Sequence, residues 1–137
     1  MKTETIRVKT SQKTELIDIT DDIRKKIQSA GFRSGIVMVY VPHTTSAVTI
    51  NESADPDVGK DILMILDQLV PQRAGYRHAE GNSAAHVKAS LTGQSILFGV
   101  EDGKPVLGTW QAIFFCEFDG PRSRRVDINF IAGSGQK

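Results

Sequence analysis

Three histidines lie in polar segments that could carry chemistry. His43 lies in the segment Pro-His-Thr-Thr-Ser at 42–46, His78 lies in a polar loop, and His86 lies on a predicted short helix. Neutral imidazole is the commonest metal ligand, and three of them leave a coordination position open for substrate or water. The spacing matches no established zinc motif such as His-Glu-x-x-His. A shared histidine site and three unrelated surface histidines are therefore both compatible with the spacing.

Acidic residues accompany the histidines. Glu52 ends the strand that follows His43, and Glu80 lies two residues after His78. No structural role explains either residue, so each could orient an imidazole or act as a general base. Asp55 and Asp57, in contrast, are explained by helix capping and by the helix dipole. The catalytic candidates are His78, His86, Glu80 and Glu52.

The start of the short helix could hold an anion. Asn82 and Ser83 follow a glycine, and free backbone N–H groups at such a position can bind phosphate or carboxylate. An ordinary helix cap is the simpler explanation for these two residues. Lys88, further along the helix, could add a positive charge or extend into solvent. We include all three among the ligand-binding candidates.

The last third of the chain adds further polar candidates. Gln111 stands in an apolar strand and needs a hydrogen-bond partner there. Arg122, Arg124 and Arg125 are denser in positive charge than a turn requires, so they could bind an anionic ligand or pair with carboxylates between subunits. The segment 119–121, Asp-Gly-Pro, has ordinary turn chemistry. Gln111, Arg122 and Arg124 complete the set of ligand-binding candidates.

Strands and helices that would position these residues follow from hydrophobic periodicity and capping residues. Alternation and apolar runs predict strands over 3–10, 16–19, 36–41, 47–51, 95–100, 110–118 and 125–132. Thr20 is predicted to cap a helix ending near Gly31, Asp55 a helix ending at Pro71, and Asn82 or Ser83 a short helix through residue 91. Residues 101–104 predict a hairpin turn.

These elements predict one α+β domain over residues 1–137, with a mainly antiparallel mixed sheet or sandwich and about three helices. The apolar strand 110–118 is expected inside its sheet and not at the edge. Trp110 is expected in the core, and Cys116 is expected to be a buried small hydrophobic residue and not a nucleophile.

Composition limits the function classes. The chain has 137 residues, a net charge of +1 and a single cysteine. This charge implies no general attraction to nucleic acid or to a membrane surface. One cysteine suits a reducing compartment, and there is neither a signal-peptide pattern nor an apolar run near the ~20 residues of a membrane helix. These features predict a cytoplasmic protein.

Three blocks of sequence resemble the YjbQ-type family of small α+β proteins. The first block contains 42–46, 51–52 and 55–58, the second contains 76–91 with Gly93, and the third contains 108–111, 117–122 and Arg124. The blocks occur in order from about residue 36 to 128. Two details differ from the family pattern. Ala112 stands where glycine is usual, and the segment 78–80 is one residue shorter than in some relatives.

The resemblance implies properties that the residue patterns alone do not establish. It implies a homotrimer in which His43, His78 and His86 gather as a metal site. Coordination chemistry makes zinc the first candidate among divalent metals, with Glu52 and Glu80 expected close by to orient the imidazoles or share coordination. It also implies action on a small phosphorylated metabolite, with secondary thiamine-phosphate synthase activity as the named example. That reaction joins a pyrimidine pyrophosphate to a thiazole phosphate. The alternative is a non-catalytic trimer that binds a small anionic ligand.

Overall fold

The computed structural model describes residues 2–132. In this range the chain forms eight strands and three helices. In chain order they are β1 (Lys2–Lys9), β2 (Glu15–Asp18), α1 (Thr20–Ser29), β3 (Gly35–Tyr40), β4 (Ser46–Glu52), α2 (Pro56–Leu69), α3 (Ser83–Thr92), β5 (Ser95–Glu101), β6 (Lys104–Pro105), β7 (Gln111–Glu117) and β8 (Ser123–Ile131).

The strands form two antiparallel sheets. One has the order β1-β8-β3-β5-β6 and the other has the order β2-β7-β4. The predicted α+β class is confirmed, and so is the central position of β7 between two partners. The predicted hairpin between β5 and β6 is also confirmed. Its two turn residues, Asp102 and Gly103, both have positive φ, as the right-handed strand twist favours in such turns.

The main core lies between the two sheets. Ile113 and Phe115 point inward from β7, and Val126 and Ile128 point inward from β8; none of the four is measurably exposed. Successive strand residues point to opposite faces, so the alternation visible in the sequence of β8 is the alternation of core and surface. Burying each large apolar side chain contributes roughly 1.5–3 kcal/mol to stability.

A second, smaller core lies on the other face of the three-stranded sheet, where α2 and α3 pack. Its buried members are Ala47, Ala85, Ala89, Cys116 and Phe118. Because β7 is covered on both faces, nearly all of its residues are apolar, which explains its continuous apolar run. Burial raises the pKa of the Cys116 thiol to about 12, as expected for a packing residue and not a nucleophile.

The helix starts follow the sequence signals in one case and depart from them in another. Asp55 caps α2 as predicted, with its Oδ1 accepting a hydrogen bond from the Asp57 N–H at 2.9 Å. Thr20, in contrast, does not cap α1. Its N–H and hydroxyl donate to Asp18 Oδ1, and its own Oγ1 accepts from the Ile113 N–H at 2.9 Å. The prediction was wrong because a strand distant in sequence competes for the Thr20 oxygen.

Trp110 also departs from expectation, because it is 64% exposed and does not lie in the core. It belongs to the connection before β7, where the alternation of the strand does not yet apply. Gln111 helps to fold this connection back on itself, because its Oε1 accepts a hydrogen bond from the Gly108 N–H at 2.7 Å. Among residues 2–132, no helix is both long enough and apolar enough to cross a membrane.

Candidate functional site

A polar cavity of about 520 Å³ opens near the turn that joins β7 to β8. Two larger cavities, of about 590 and 630 Å³, have mainly apolar linings. The polar cavity is lined by Pro42, His43, Thr44, Thr45, His78, Glu80, Asn82, His86, Asp119, Arg122 and Arg124. It therefore gathers all three histidines together with two carboxylates and two guanidinium groups, and it is the candidate site.

Four parts of the chain converge on this cavity. The connection between β3 and β4 supplies His43, and the long loop between α2 and α3 supplies His78 with Glu80. His86 lies in the first turn of α3, whose small residues Ala85 and Ala89 let the helix approach the sheet closely. The turn after β7 and the start of β8 supply the remaining charged groups.

His78 and His86 contact each other. Their ring centroids are 5.5 Å apart and their planes are nearly perpendicular, at 88°. Glu80 Oε1 lies 3.7 Å from His78 Nε2, close enough for an ion pair when that imidazole is protonated. This arrangement places two proton-carrying rings and a carboxylate at one side of an open cavity.

His43 is engaged differently. Its Nε2 accepts a hydrogen bond from the Arg125 backbone N–H at 2.9 Å, so this nitrogen carries no proton and the neutral ring carries its proton on Nδ1. Burial, together with the positive charge of Arg124, lowers the pKa of His43 below its ordinary value. His43 therefore fixes the connection after β3 to the start of β8, and its Nε2 is already occupied.

A buried ion pair lies beneath the cavity. Glu117 has no measurable exposure and Arg124 is 5% exposed. Arg124 Nε donates to Glu117 Oε1 at 2.8 Å and its Nη2 donates to Oε2, a two-point pairing that is the strongest geometry for these groups. The Thr10 hydroxyl donates to Oε1 at 2.8 Å, and the Asp119 N–H donates to Oε2 at 3.0 Å.

The electrostatics of Glu117 follow from these bonds. Burial alone would raise the pKa of its carboxyl, but the hydrogen bonds from Arg124 and from the Asp119 backbone hold that pKa below its ordinary value. Arg124 Nη2 also donates to Thr45 Oγ1 at 2.9 Å. The pair is therefore charged, and its hydrogen bonds compensate for the water it has lost.

A second carboxylate, Asp119, lines the cavity itself. Its Oδ1 accepts from Lys13 Nζ at 2.7 Å, and its Oδ2 accepts from Asn82 Nδ2 and from Arg122 Nη2, both at 2.9 Å. Burial would raise the pKa of Asp119, but the hydrogen bonds from Lys13, Asn82 and Arg122 lower it to about 2. Sequence reasoning assigned this residue only to a turn.

Four of the predicted site residues lie away from the cavity. Glu52 and Gln111 pair with each other at the opposite end of β4 and β7, which is about 20 Å away for a seven-residue strand. Lys88 is buried and pairs with Asp67 of α2. Ser83 begins α3 without lining the cavity. The structure therefore does not bring Glu52 to the histidines, and Lys88 joins two helices instead of facing a ligand.

Sequence reasoning missed Glu117, Asp119, Thr10 and Lys13. A signal for Glu117 was present in the sequence. Alternate residues of a strand point to the same face, so Glu117 faces inward with Ile113 and Phe115 on β7, although it is charged. Charged residues are almost never fully buried unless they are paired. Arg124 likewise points to the same face of β8 as the inward-facing residues of that strand. Two charged residues at inward-facing positions could therefore have indicated the ion pair.

The three-histidine metal set does not fit this geometry without a change. Within residues 2–132, no three side chains of histidine, cysteine, aspartate or glutamate are arranged to hold a metal ion. His43 would first have to release the Arg125 N–H or lose its Nδ1 proton before it could bind a metal beside His78 and His86.

Comparison with known proteins identifies the family. The sequence profile of the family described as UPF0047 protein YjbQ-like matches residues 4–133. The chain belongs to this family. The UPF0047 protein YugU of Bacillus subtilis is 50% identical over 129 residues, which cover 93% of this chain and 98% of that protein. The UPF0047 protein MJ1081 of Methanocaldococcus jannaschii is 50% identical over 91% of each chain.

Solved structures of relatives have the same fold. The crystal structure of a YjbQ/UPF0047 family protein from Clostridium acetobutylicum has a TM-score of 0.91 at 49% identity, covering 93% of this chain and 99% of that one. The structure of the hypothetical protein APE1520 from Aeropyrum pernix has a TM-score of 0.92 at 35% identity, covering 97% and 100%. The resemblance noted from the three sequence blocks is thereby confirmed.

The ion pair beneath the cavity generates a stability prediction. Glu117→Gln should lower the free energy of unfolding by about 3–5 kcal/mol, because it leaves the buried Arg124 guanidinium without a counter-charge. Urea unfolding followed by circular dichroism measures the change. Asp127→Asn is the matched control, because Asp127 pairs with Arg125, whose side chain is 47% exposed, and a pair of that kind contributes about 1 kcal/mol or less. Equal effects of the two substitutions would contradict the prediction.

Proposed function

We propose that the polar cavity binds a small phosphorylated molecule and that His78 and His86 donate and accept protons at the bound ligand. The observation that supports this proposal is the convergence of both imidazoles, Glu80 and two guanidinium groups on one open cavity. The family match gives the fold and the relatives but no activity, so the proposal depends on the geometry of the cavity.

The arginines would bind the ligand through directed hydrogen bonds and not through excess charge. Arg122 and Arg124 each use Nε and Nη2 for internal contacts, while neither Nη1 donates to another residue between 2 and 132. The charge of Arg122 is paired with Asp119, and the charge of Arg124 is paired with Glu117. Two Nη1 groups held in place by internal contacts suit the oxygen atoms of a phosphate.

The imidazoles would supply acid–base chemistry. Histidine is the side chain most often used for proton transfer, and a positioned acid or base contributes typically 10²–10⁴-fold to a rate. In the thiamine-phosphate reaction implied by the family resemblance, the thiazole nitrogen forms a bond to carbon as pyrophosphate leaves. A protonated imidazole beside the leaving group would stabilise its developing negative charge.

Cytoplasmic location, inferred from the single cysteine, stays a prediction.

Replacing the histidines tests the catalytic proposal. His78→Ala or His86→Ala should lower the rate of thiamine-phosphate formation from the two precursors at least about 100-fold, because each removes a proton-transfer group. Glu80→Gln should also lower the rate. Glu52→Gln is its matched control, because Glu52 lies at the far end of β4 and should leave the rate unchanged. Product formation and pyrophosphate release are measured together.

An equal trace rate in the wild type and in all four variants would exclude this reaction. If the cavity still bound a phosphorylated metabolite in a thermal-shift screen, the non-catalytic binding protein would be the better description. Loss of binding in His86→Ala would then place the ligand in the same cavity.

Zinc binding stays a prediction of the family resemblance. In the structure, neither the three histidines nor the group of His78, His86 and Glu80 is arranged to hold an ion. These side chains would have to move to bind zinc, which would then act as a Lewis acid in place of proton transfer by the two imidazoles. We expect elemental analysis of untagged protein to find zinc, and we expect His78→Ala and His86→Ala to lose it. His43→Ala should keep zinc if Arg125 occupies Nε2 as in the structure. Protein without metal, whose melting temperature does not respond to added zinc, would contradict the prediction.

We also propose a homotrimer, supported by an apolar patch on the outer face of the five-stranded sheet. This patch consists of Ile36, Tyr40, Leu97 and Ile131, which are 40–63% exposed. Their register places all four on one face, opposite to the inward-pointing residues of the same strands. Contiguous apolar surface of this kind marks an interface in many soluble proteins.

Light scattering tests the assembly. The wild type should have three times the protomer mass of 15.0 kDa, and Leu97→Glu should shift the mass toward one protomer by placing a charge in the patch. Leu69→Glu is the matched control on α2, because Leu69 is similarly exposed and lies outside the patch. A wild-type mass of one protomer at micromolar concentration would exclude the trimer.

A further inference from the structure

The Asp119 carboxylate joins three separate segments, two of which line the cavity. Lys13 comes from the connection between β1 and β2, Asn82 stands immediately before α3, and Arg122 comes from the turn between β7 and β8. We propose that Asp119 is the positioning residue of the ligand site, orienting His86 through Asn82 and orienting Arg122 directly. The expected effect on ligand binding rests on the proposed function, whereas the orientation of His86 and Arg122 by Asp119 does not.

The path from Asp119 to His86 has two steps. Asp119 Oδ2 accepts a hydrogen bond from Asn82 Nδ2, and the Asn82 carbonyl accepts the backbone N–H groups of Ala85 at 3.1 Å and His86 at 3.4 Å. Asn82 is thus the residue from which the first turn of α3 begins. Fixing its side chain fixes the start of the helix and the direction in which His86 projects.

Asn82 holds this orientation at a local cost. It occupies the N-cap position of α3, where an asparagine oxygen ordinarily accepts an N–H of the first turn, yet it makes no such bond. Its Oδ1 is buried and has no hydrogen-bond partner between residues 2 and 132. A buried carbonyl without a partner is unfavourable, because it has given up its hydrogen bonds to water. The bond to Asp119, and not the capping of α3, therefore determines the orientation of Asn82.

Arg122 is fixed by two bonds from its guanidinium group. Nε donates to the Asp119 carbonyl at 2.8 Å and Nη2 donates to Oδ2 at 2.9 Å. The Arg122 side chain is 52% exposed, so without these bonds it would sample many rotamers. Ordering such a side chain on binding costs conformational entropy, and Asp119 removes that cost in advance.

Asp119 is itself held firmly. Its N–H donates to the buried Glu117 carboxylate, and the Gly120 N–H that follows donates to the Lys13 carbonyl at 3.0 Å. A Cβ at Gly120 would lie 2.1 Å from the Gln12 carbonyl oxygen, so the Gln12 backbone packs directly against this stretch. The carboxylate is therefore a rigid reference point for the side chains around it.

The competing explanation is that Asp119 only neutralises the charge of Arg122, and it predicts the opposite change in affinity for an anion. If Asp119 only balanced the charge of Arg122, removing its carboxylate would make the cavity more positive and would strengthen the binding of an anion. If Asp119 positions Asn82 and Arg122, the same change should weaken binding. Asp119→Asn distinguishes the two explanations because it keeps the size of the side chain, removes its charge and converts one of its two acceptor oxygens into a donor, which weakens the hydrogen bonds from Asn82 and Arg122.

The first measurement uses no ligand. The ring signals of His86 in ¹H–¹³C NMR spectra should shift in Asp119→Asn and in Asn82→Ala, and the double variant should shift them no further than either single variant. Lys13→Met should leave them unchanged, because the contacts to Asn82 and Arg122 remain. Asp127→Asn is the matched control, because this aspartate also pairs with an arginine but lies outside the cavity.

The second measurement uses inorganic pyrophosphate as the probe in isothermal titration. Asp119→Asn should bind it about tenfold more weakly, a loss of about 1.4 kcal/mol. Arg122→Ala should also weaken binding, but should leave the His86 signals in place. Tighter binding by Asp119→Asn, or wild-type His86 signals in that variant, would overturn the inference.

Two outcomes distinguish a failure of the positioning role of Asp119 from a failure of the proposed function. A wild type that fails to bind pyrophosphate counts against the proposed function, while the His86 signals still decide the positioning role. If Asp119→Asn does not fold, Asn82→Ala carries the test, and unchanged His86 signals in that variant would overturn the proposed path.

Discussion

The buried pair of Glu117 and Arg124 is the interaction on which the site depends. Two charges removed from water cost several kcal/mol each unless every polar atom finds a partner. That requirement draws in Thr10 from the end of β1, Thr45 from the start of β4 and the Asp119 backbone. The pair therefore joins the two sheets at one end of the sandwich and holds the connections around it.

The cavity follows from this arrangement. Because the Asp119 N–H is bonded to Glu117, its carboxylate is directed to Lys13, Asn82 and Arg122. His43 fastens the connection after β3 to the backbone of Arg125, directly beside Arg124. The apolar core between the sheets supports the polar end, because its buried strands provide the rigid frame that these hydrogen bonds need.

Much of the fold could be predicted because its signals are local. The alternation of Val126, Ile128 and Phe130 marks β8, and Asp55 with Pro56 marks the start of α2. The three histidines of the cavity could be named from residue type, and the sequence blocks that contain them indicated the family. These features depend on neighbours within a few residues, which a single sequence displays directly.

The remaining features depend on partners far along the chain. Thr20 bonds the Ile113 N–H, 93 positions away, and Thr10 bonds Glu117, 107 positions away. Glu52 appeared close to the histidine segment in sequence, but a seven-residue strand separates it from that end of the sheet. Asp119 looked like a turn residue because its side-chain partners at positions 13 and 82 cannot be recognised from its neighbours.

The internal pairing of the cavity charges also limits what the site can select. Arg122 and Arg124 each donate internal hydrogen bonds through Nε and Nη2, and the carboxylates of Asp119 and Glu117 already balance their charges. Under the proposed function, a ligand would gain little from negative charge alone, since long-range attraction is weak when the charges are locally matched. It would gain from placing oxygen atoms against the remaining Nη1 groups while presenting a proton acceptor or donor to His78 and His86. Selection would then be geometric, and the hydrogen-bond network beneath the cavity would provide that geometry.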